Sequence, residues 1–317
     1  MRILVTGGNG YVGRQLCRHL IHDHEICVVD NLRYGSERFT ASELADLRFE
    51  NLDIRELSPL KRLFADFRPQ AVVHLAAIHF IPECEGDPEL AVSTNVLGTA
   101  NVAAACPSNC RMVFASTGAV YQPETVPHRE LESILEPADV YGWTKLHGEQ
   151  YVTYFARHNK FAACIVRLFN VIGPGETNPH VLPEIIAQLK AGRQSLKLGN
   201  LEAKRDYVHV ADVARGFAHV ACTGQVNLGE TRVINLGTRH SYSVHELLTH
   251  LREISAIKFN VEVDATRMRP SDRPYLAADI QRIEALFGWK PQFEIRDALT
   301  DMWHNPDLPL SWIEKYR

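Results

Sequence analysis

The feature that most limits the fold is a sixfold alternation of short apolar runs with helical patterns along residues 1–170. Apolar runs of roughly 4–8 residues between turn residues are typical of buried strands, whereas apolar residues that recur every three or four positions are typical of helices. The predicted strands are residues 2–6, 25–30, 47–53, 71–75, 111–115 and 162–168. Strands that alternate with helices in this way predict an α/β fold with a doubly wound parallel sheet.

The residues at the carboxyl ends of these strands are small or polar, which leaves room for a ligand. The end residues are Gly7, Asp30, Asp53, Ala76, Thr117 and Asn170. Ligands of doubly wound sheets bind outside the carboxyl ends of the strands. We therefore expect these residues to share one cleft.

A glycine-rich turn follows the first strand and leads into a helical pattern. Gly7, Gly10 and Gly13 fall three residues apart. Glycines let the backbone approach a pyrophosphate, which the helix N-terminus attracts. Asp30, at the end of the second strand, can accept hydrogen bonds from ribose hydroxyls and would repel a 2′-phosphate. The pattern predicts a Rossmann dinucleotide site that prefers NAD to NADP, a preference that the nearby Arg33 moderates.

Tyr141 and Lys145 are four residues apart in a predicted helix of residues 141–158, so they lie on one face. A phenol loses its proton near pH 10, and a neighbouring ammonium favours the phenolate. Such a pair can take a proton from a sugar or alcohol hydroxyl near neutral pH. In isolation the spacing is more often a solvated surface pair, and the predicted cleft is what favours a catalytic role.

The regular alternation stops after Asn170. Residues 171–205 and 238–317 contain shorter, mixed elements and two basic turns, whereas residues 206–237 return to a strand tip, a helix and a strand. We expect a dinucleotide-binding domain of residues 1–170, to which residues 206–237 return. The remaining segments are expected to form a smaller, mixed α/β substrate lobe.

Composition excludes several classes of partner. The net charge is −4 with a pI of about 6.4, so nucleic acid and anionic membranes are not expected as partners. No apolar run approaches the ~20 residues that span a bilayer. The seven cysteines are scattered, and the close pair Cys106 and Cys110 lacks a second pair at zinc-ligand spacing. We expect free thiols, no metal and a cytoplasmic location.

Taken in order, the motifs resemble the extended short-chain dehydrogenase/reductase family over nearly the full length. Within it the chain is similar to the nucleotide-sugar epimerases and dehydratases, and most like the UDP-galactose 4-epimerases. The segments that carry the resemblance are residues 6–13, 30–32, 53–54, 74–77, 95–98, 141–145, 205–209 and 269–272. The resemblance implies that the smaller lobe binds a sugar nucleotide.

The resemblance also implies roles for individual residues. It implies that the NAD pyrophosphate is bound by Gly7, Gly10, Tyr11, Val12 and Gly13. The adenosine ribose would be bound by Asp30 and Asn31, and the adenine by Asp53 and Ile54. The remaining NAD-binding residues would be Leu75, Ala76, Ala77, Asn95, Tyr141 and Lys145. It assigns the substrate to His79, Ser116, Thr117, Asn170, His180, Val181, Arg205, Arg269 and Asp272. Family epimerases often carry lysine at the position of His79, so a phosphate contact and a substrate contact both stay open there.

The implied first step is removal of a hydride from sugar C4 by NAD while a base takes the hydroxyl proton. Tyr141 is the implied base, Lys145 lowers its pKa, and Thr117 bridges the hydroxyl and the phenol. Where 4,6-dehydratases carry acids directly after the threonine, this chain has Gly118 and Ala119. We therefore expect an NAD-dependent nucleotide-sugar 4-epimerase that acts through a transient 4-keto sugar, with a UDP-hexose or UDP-hexuronic acid as substrate.

Other functions stay open at this point. A 4,6-dehydratase could use His79 or Glu83 as its acid, and a 4-ketoreductase or dehydrogenase would use the same apparatus with an exchanging cofactor. A non-catalytic NAD-sensing protein is disfavoured because the threonine, tyrosine and lysine are all present. The predicted helices 88–106 and 141–158 match a dimer interface of the family, so a homodimer is expected.

Overall fold

The computed structural model describes residues 1–176, 178–267 and 273–317. Its strands are β1 (Arg2–Thr6), β2 (Glu25–Asp30), β3 (Leu47–Asn51), β4 (Ala71–His74), β5 (Arg111–Thr117), β6 (Ala162–Leu168), β7 (Asn170–Ile172), β8 (Ser195–Leu198), β9 (Lys204–His209), β10 (Thr231–Leu236), β11 (Ser241–Ser243), β12 (Asn260–Val263) and β13 (Tyr275–Leu276). Its helices are α1 (Tyr11–Leu20), α2 (Ala41–Asp46), α3 (Leu57–Phe67), α4 (Ile81–Gly86), α5 (Pro88–Val92), α6 (Gly98–Ala105), α7 (Val140–Asn159), α8 (Val181–Lys190), α9 (Val210–Cys222), α10 (Val244–Ser255), α11 (Gln281–Phe287), α12 (Ile295–His304) and α13 (Leu310–Glu314).

The central sheet has seven strands in the order β10-β6-β5-β4-β1-β2-β3. Every neighbouring pair is parallel. The order reverses between β1 and β4, and a doubly wound sheet binds its ligand at such a switch point. The predicted α/β fold is confirmed, and β10 adds a seventh strand from the segment that was expected to return to this domain.

Helices cover both faces of the central sheet because successive residues of a strand point to opposite faces. Ile3 and Val5 of β1 join the core under α1 and α9, whereas Leu4 joins the core under α3, α6 and α7. All three side chains are fully buried. Because helices cover both faces, a ligand can reach the central sheet at the carboxyl ends of its strands.

The remaining strands lie outside the central sheet. Strand β9 pairs with β7, β11 and β13, and β8 pairs with β12. A third core lies between α8, α10 and α12 and these strands. Residues 206–209, expected in the segment that returns to the first domain, lie in β9 of the smaller sheet, whereas α9 packs in the core of the central sheet and β10 is one of its strands. The domain bounds stay a prediction.

Several element ends differ from the prediction. The pair Ser58 and Pro59 is typical of an N-cap and a first helical residue. Helix α3 nevertheless begins at Leu57 after Glu56, because a turn from Asp53 to Glu56 starts the helix earlier (Glu56 N to Asp53 O, 3.0 Å). Strand β5 continues to Thr117, paired with β6.

Two helix ends follow local signals. The spacing of Ser243 and Glu246 predicts a capping box, and Gly288 predicts a C-cap. Both are present.

The predicted helix 88–106 is present, but a π-helical segment, Ser93–Leu97, joins α5 to α6. Among the described residues no helix is long and apolar enough to span a membrane. All seven cysteines are free thiols, as expected. The cytoplasmic location stays a prediction.

Candidate active site

A cleft of about 530 Å³ opens at the carboxyl edge of the central sheet, and residues of the smaller lobe form its other side. The predicted site residues that line it are Gly7, Gly10, Tyr11, Val12, Gly13, Asp30, Asn31, Ile54, Leu75, Ala76, Ala77, His79, Ser116, Thr117, Tyr141, Lys145, Asn170, His180, Val181 and Arg205. The structure thus brings together residues that come from separate strand ends. Their individual roles stay predictions.

Asp53 does not line the cleft, although its neighbour Ile54 does. Its carboxylate accepts hydrogen bonds from Asn31 Nδ2 at 3.1 Å and from Arg55 Nη2 at 2.7 Å. The bond with Arg55 lowers the pKa of Asp53 to about 2. Asp53 therefore holds Asn31, which does face the cleft. Arg269 and Asp272 lie outside the described residues.

Asn95 was expected to line the dinucleotide, and the structure places it behind the cleft wall instead. It is fully buried, and its side chain pairs with both backbone groups of Ile78, each at 2.8 Å. It also donates to Thr144 Oγ1 at 3.0 Å. Asn95 thus joins the segment after β4 to helix α7, and the π-helical segment that carries it directs the amide toward both. Segments of this kind are frequent at functional sites.

The glycine turn forms a narrow backbone cradle. Gly7 has a φ of +69°, and an added Cβ would lie 2.6 Å from the Ala76 backbone nitrogen. At Gly13 an added Cβ would lie 2.2 Å from the Gly7 carbonyl oxygen. Helix α1 begins after Gly10, which offers no side-chain cap. The first amides of α1 are therefore available to an anion, which suits a pyrophosphate.

Asp30 ends β2 beside this cradle. Its carboxylate accepts hydrogen bonds from the backbone nitrogens of Asn9 at 3.1 Å and Leu32 at 2.9 Å. Burial raises the pKa of Asp30, and the two backbone bonds oppose that shift. These bonds fix the orientation of the carboxylate, as a ribose site requires.

Tyr141 lies in the first turn of α7, whose N-cap Asp139 accepts from Gly142 N at 2.7 Å. Thr117 and Tyr141 both line the cleft. Burial raises the pKa of Tyr141 above its usual value near 10, and the neighbouring Thr117 hydroxyl lowers it in part. Thr117 is thus the neighbour that favours the phenolate in this structure, and lowering of this pKa by Lys145 stays a prediction.

Lys145 is 2% exposed, one helical turn after Tyr141. Its Nζ lies 4.9 Å from the centre of the Phe114 ring. Burial lowers the pKa of Lys145 to about 7. An amine with such a pKa exchanges its proton at physiological pH, so its charge responds to the groups that bind beside it.

A buried hydrogen-bond network below the end of strand β5 was not predicted from the sequence. Glu149 accepts from Arg167 Nε at 2.9 Å and Nη2 at 2.7 Å, and from the Ser116 hydroxyl at 2.6 Å. Arg167 Nη1 also donates to the Tyr121 hydroxyl at 3.1 Å. The hydroxyl proton of Ser116, expected to serve the substrate, is therefore engaged by Glu149. The network fixes the end of β5, where Thr117 follows.

The turn after Thr117 contains no acid. Thr117 Oγ1 accepts from Ala119 N at 3.1 Å, and Arg273 donates to the Ala119 carbonyl at 2.7 Å. An added Cβ on Gly118 would lie 3.1 Å from the Phe169 ring. The turn is thus closely packed, and a longer side chain at Gly118 would have to displace Phe169.

Glu83 was considered as an alternative acid. Its carboxylate accepts from Arg33 Nη2 at 2.7 Å and from the Tyr34 hydroxyl at 2.9 Å. Arg33 and Tyr34 line the cleft, but Glu83 does not. The carboxylate therefore ties the segment after β2 to α4 and does not face the cleft.

The cleft also contains polar residues that sequence reasoning did not assign to it. They include Asn9, Arg38, Thr94, Asp139, Glu176, Glu184, Asn200, Arg267 and Arg273. Asn9 lies within the glycine motif, and Arg267 begins one of the two basic turns of the smaller lobe. The others come from segments without a recognisable motif, and only the fold brings them to the cleft.

Known proteins share both the sequence pattern and the fold. The family model described as the NAD dependent epimerase/dehydratase family matches residues 3–237. The UDP-glucose 4-epimerase of Rhizobium meliloti is 30% identical over 323 residues, covering 95% of this chain and 96% of the relative.

Two solved structures extend the similarity to three dimensions. The UDP-glucose 4-epimerase of Thermotoga maritima, crystallised with UDP-glucose, has a TM-score of 0.84 at 27% identity and covers 96% of this chain and 98% of its own. The UDP-glucose 4-epimerase of Thermus thermophilus, in complex with NAD, has a TM-score of 0.83 at 27% identity with the same coverage.

Proposed function

The chain belongs to the NAD dependent epimerase/dehydratase family, and on that premise we propose that it is a nucleotide-sugar 4-epimerase acting through a transient 4-keto sugar. The observation that carries the proposal is that Thr117, Tyr141 and the buried Lys145 line the same cleft, with Tyr141 and Lys145 one helical turn apart. These groups suit proton removal from a sugar hydroxyl. The adjoining turn has no acid for the elimination of water.

The cradle fits NAD. Its backbone amides suit the pyrophosphate, and the oriented carboxylate of Asp30 suits the two hydroxyls of the adenosine ribose while repelling a 2′-phosphate. Held by these residues, NAD would supply the acceptor and the donor of the hydride at sugar C4.

The residues of this chain provide the proton chemistry. Burial holds the proton on Tyr141 and lowers the pKa of Lys145 to about 7, so near neutral pH part of the lysine is a neutral amine. In its ammonium form Lys145 favours the phenolate of Tyr141, so that the phenol oxygen can take the proton of the sugar hydroxyl. The two groups then titrate as a pair.

The same geometry disfavours dehydration. Burial lowers the pKa of His79 to about 4, so the imidazole is neutral at pH 7 and a poor proton donor. The carboxylate of Glu83 is engaged by Arg33 and Tyr34. Neither side chain offers the acid that the turn lacks.

We further infer that the substrate is a UDP-hexose or a UDP-hexuronic acid. The Rhizobium meliloti relative and the Thermotoga maritima neighbour are UDP-glucose 4-epimerases. The arginines Arg205, Arg267 and Arg273 line the cleft, and guanidinium groups suit a diphosphate. These features favour a sugar nucleotide and leave the substituent at C6 to experiment.

The proposal predicts conversion without added cofactor. The purified chain is incubated with UDP-glucose, UDP-galactose, UDP-glucuronic acid and UDP-galacturonic acid, with dTDP-glucose and GDP-mannose as other nucleotides. We expect a 4-epimer of unchanged mass from a UDP-sugar, resolved by chromatography. Loss of water would assign a dehydratase, and dependence on NAD(P)H a reductase. A chain that holds NAD and converts no sugar would fit a sensing protein.

We also propose a homodimer through α7 and the segment α5–α6. Trp143, Tyr151 and Tyr154 form a stripe along α7 and are 45%, 45% and 58% exposed. Val92 and Leu97, each 50% exposed, lie on the neighbouring segment. Large apolar side chains clustered in this way are typical of an interface.

If this face is the interface, the variant Leu97→Glu/Tyr154→Glu should elute as a monomer. The reason is that a C2 interface places each new charge in a buried patch twice. Light scattering coupled to size-exclusion chromatography measures the mass. The control is Leu228→Glu, at a residue 52% exposed before β10. A wild-type monomer, or a double variant that stays dimeric, would reject this face.

A further inference from the structure

Three side chains with metal-ligating atoms converge on the wall of the cleft. They are His79, after β4, and Glu176 and His180, both between β7 and α8. One ligand atom from each lies within 4.8 Å of the others. Metal–ligand bonds of about 2.1 Å allow two ligand atoms to be at most about 4.2 Å apart. If these side chains moved by less than about an ångström, all three ligand atoms could therefore bind one ion.

The donor atoms of these three side chains are suited to a metal cation. Imidazole nitrogens and carboxylate oxygens are ordinary ligands of a divalent transition metal. His79 Nε2 lies 3.1 Å from Asn178 Nδ2, an amide group that can only donate. A metal ion bound to Nε2 would therefore displace the Asn178 amide.

Packing holds the other two ligands. Glu176 is 5% exposed, and its Oε1 accepts from Asn178 N at 3.1 Å. The ring of His180 lies 5.4 Å from that of Phe80, edge to face, and 5.9 Å from that of His79. The two imidazoles are thus held side by side, with the carboxylate in the same wall.

We propose that His79, Glu176 and His180 bind one transition-metal dication, with at least one coordination position open to the cleft. Two imidazoles and a carboxylate are the ligands that Zn²⁺ and Co²⁺ accept, whereas Mg²⁺ and Ca²⁺ prefer oxygen alone. The bound dication adds two positive charges to this wall of the cleft. Such a wall attracts the phosphates of a nucleotide. This site goes beyond the proposed function and does not depend on it.

The sequence offered no sign of this site, because its ligands come from two segments far apart in the chain. The motif spacings that indicate zinc need ligands close in sequence. Only the fold brings the segment after β4 against the segment before α8.

The test uses the full chain without an affinity tag, with any NAD it retains, after dialysis against EDTA. Co²⁺ is titrated while its visible absorption is followed. We expect saturation at one equivalent, displacement by Zn²⁺ and no displacement by Mg²⁺. His79→Ala and His180→Ala should each weaken Co²⁺ binding by more than about 100-fold, since even loss of an outer-shell partner costs 10–100-fold. The matched control, His240→Ala, alters an exposed histidine and should leave binding unchanged.

X-ray absorption of the cobalt-loaded wild type should show two imidazole ligands, and it does not depend on the folding of a variant. Absence of saturable uptake would overturn the proposal. So would an oxygen-only cobalt shell, or uptake that survives in His79→Ala/His180→Ala, because the ion would then sit on bound phosphates. The readouts report binding and not turnover, so their failure is distinct from a failure of the proposed epimerase activity.

Discussion

Tyr141→Phe should lower turnover of the active UDP-sugar by roughly 10²- to 10⁴-fold, the usual contribution of a positioned acid–base group. Phenylalanine keeps the ring and removes only the hydroxyl, which lies in the cleft with Thr117 and Lys145. The hydride step then has no partner for the proton of the sugar hydroxyl. Initial rates with the wild-type substrate measure the effect.

NAD binding should survive this change, since the glycine cradle and Asp30 hold the dinucleotide independently of the phenol. The amount of NAD released on denaturation checks this. The matched control is Tyr151→Phe, which alters a tyrosine of the same helix that is 45% exposed. If Tyr141→Phe turned over within a fewfold of the wild type, Tyr141 would not be the catalytic base.

Glu149→Gln should destabilise the fold by roughly 3–5 kcal/mol, the cost of breaking a buried ion pair. Glu149 and Arg167 have side chains 6% and 3% exposed and are joined by two hydrogen bonds. The substitution leaves the guanidinium of Arg167 buried without its countercharge. It also weakens the bond from Ser116, which orders the end of β5.

The free energy of unfolding in urea measures this loss. Glu253→Gln is the matched control, because Glu253 pairs with Arg296 at 2.6 Å on the surface, with side chains 56% and 55% exposed. Exposed pairs contribute little, so the control should be indistinguishable from the wild type. A loss below about 1 kcal/mol for Glu149→Gln would mean that water or a neighbour compensates the charge.

Local patterns allowed much of the fold to be predicted. Strands β2 and β6 have the predicted bounds, Ser243 forms its capping box, and Gly288 ends α11 in the left-handed conformation. Each of these features depends on residues close in sequence. Helix α3 shows the limit, because a turn from Asp53 started it before the expected cap.

Assignments that depend on long-range contacts were less complete. Asn95 was expected in the cleft and lies behind it, because Ile78 and Thr144 take up its amide. Residues 206–209 were expected with the first domain and lie in β9, which pairs with β7, β11 and β13. The sequence shows which residues can form hydrogen bonds, but their partners depend on how the elements pack.

The sequence by itself determined the parallel sheet, the glycine cradle, Asp30 at its strand end, and the pair Tyr141 and Lys145 on one helical face. These follow from periodicity and spacing, which act within a strand or a turn of helix. Only the tertiary structure decided the approach of Thr117 to Tyr141 in the cleft, the ion pair of Glu149 with Arg167, and the cluster of His79, Glu176 and His180. Such contacts join segments distant in sequence, and side-chain direction and burial, which no local pattern encodes, determine which atoms meet.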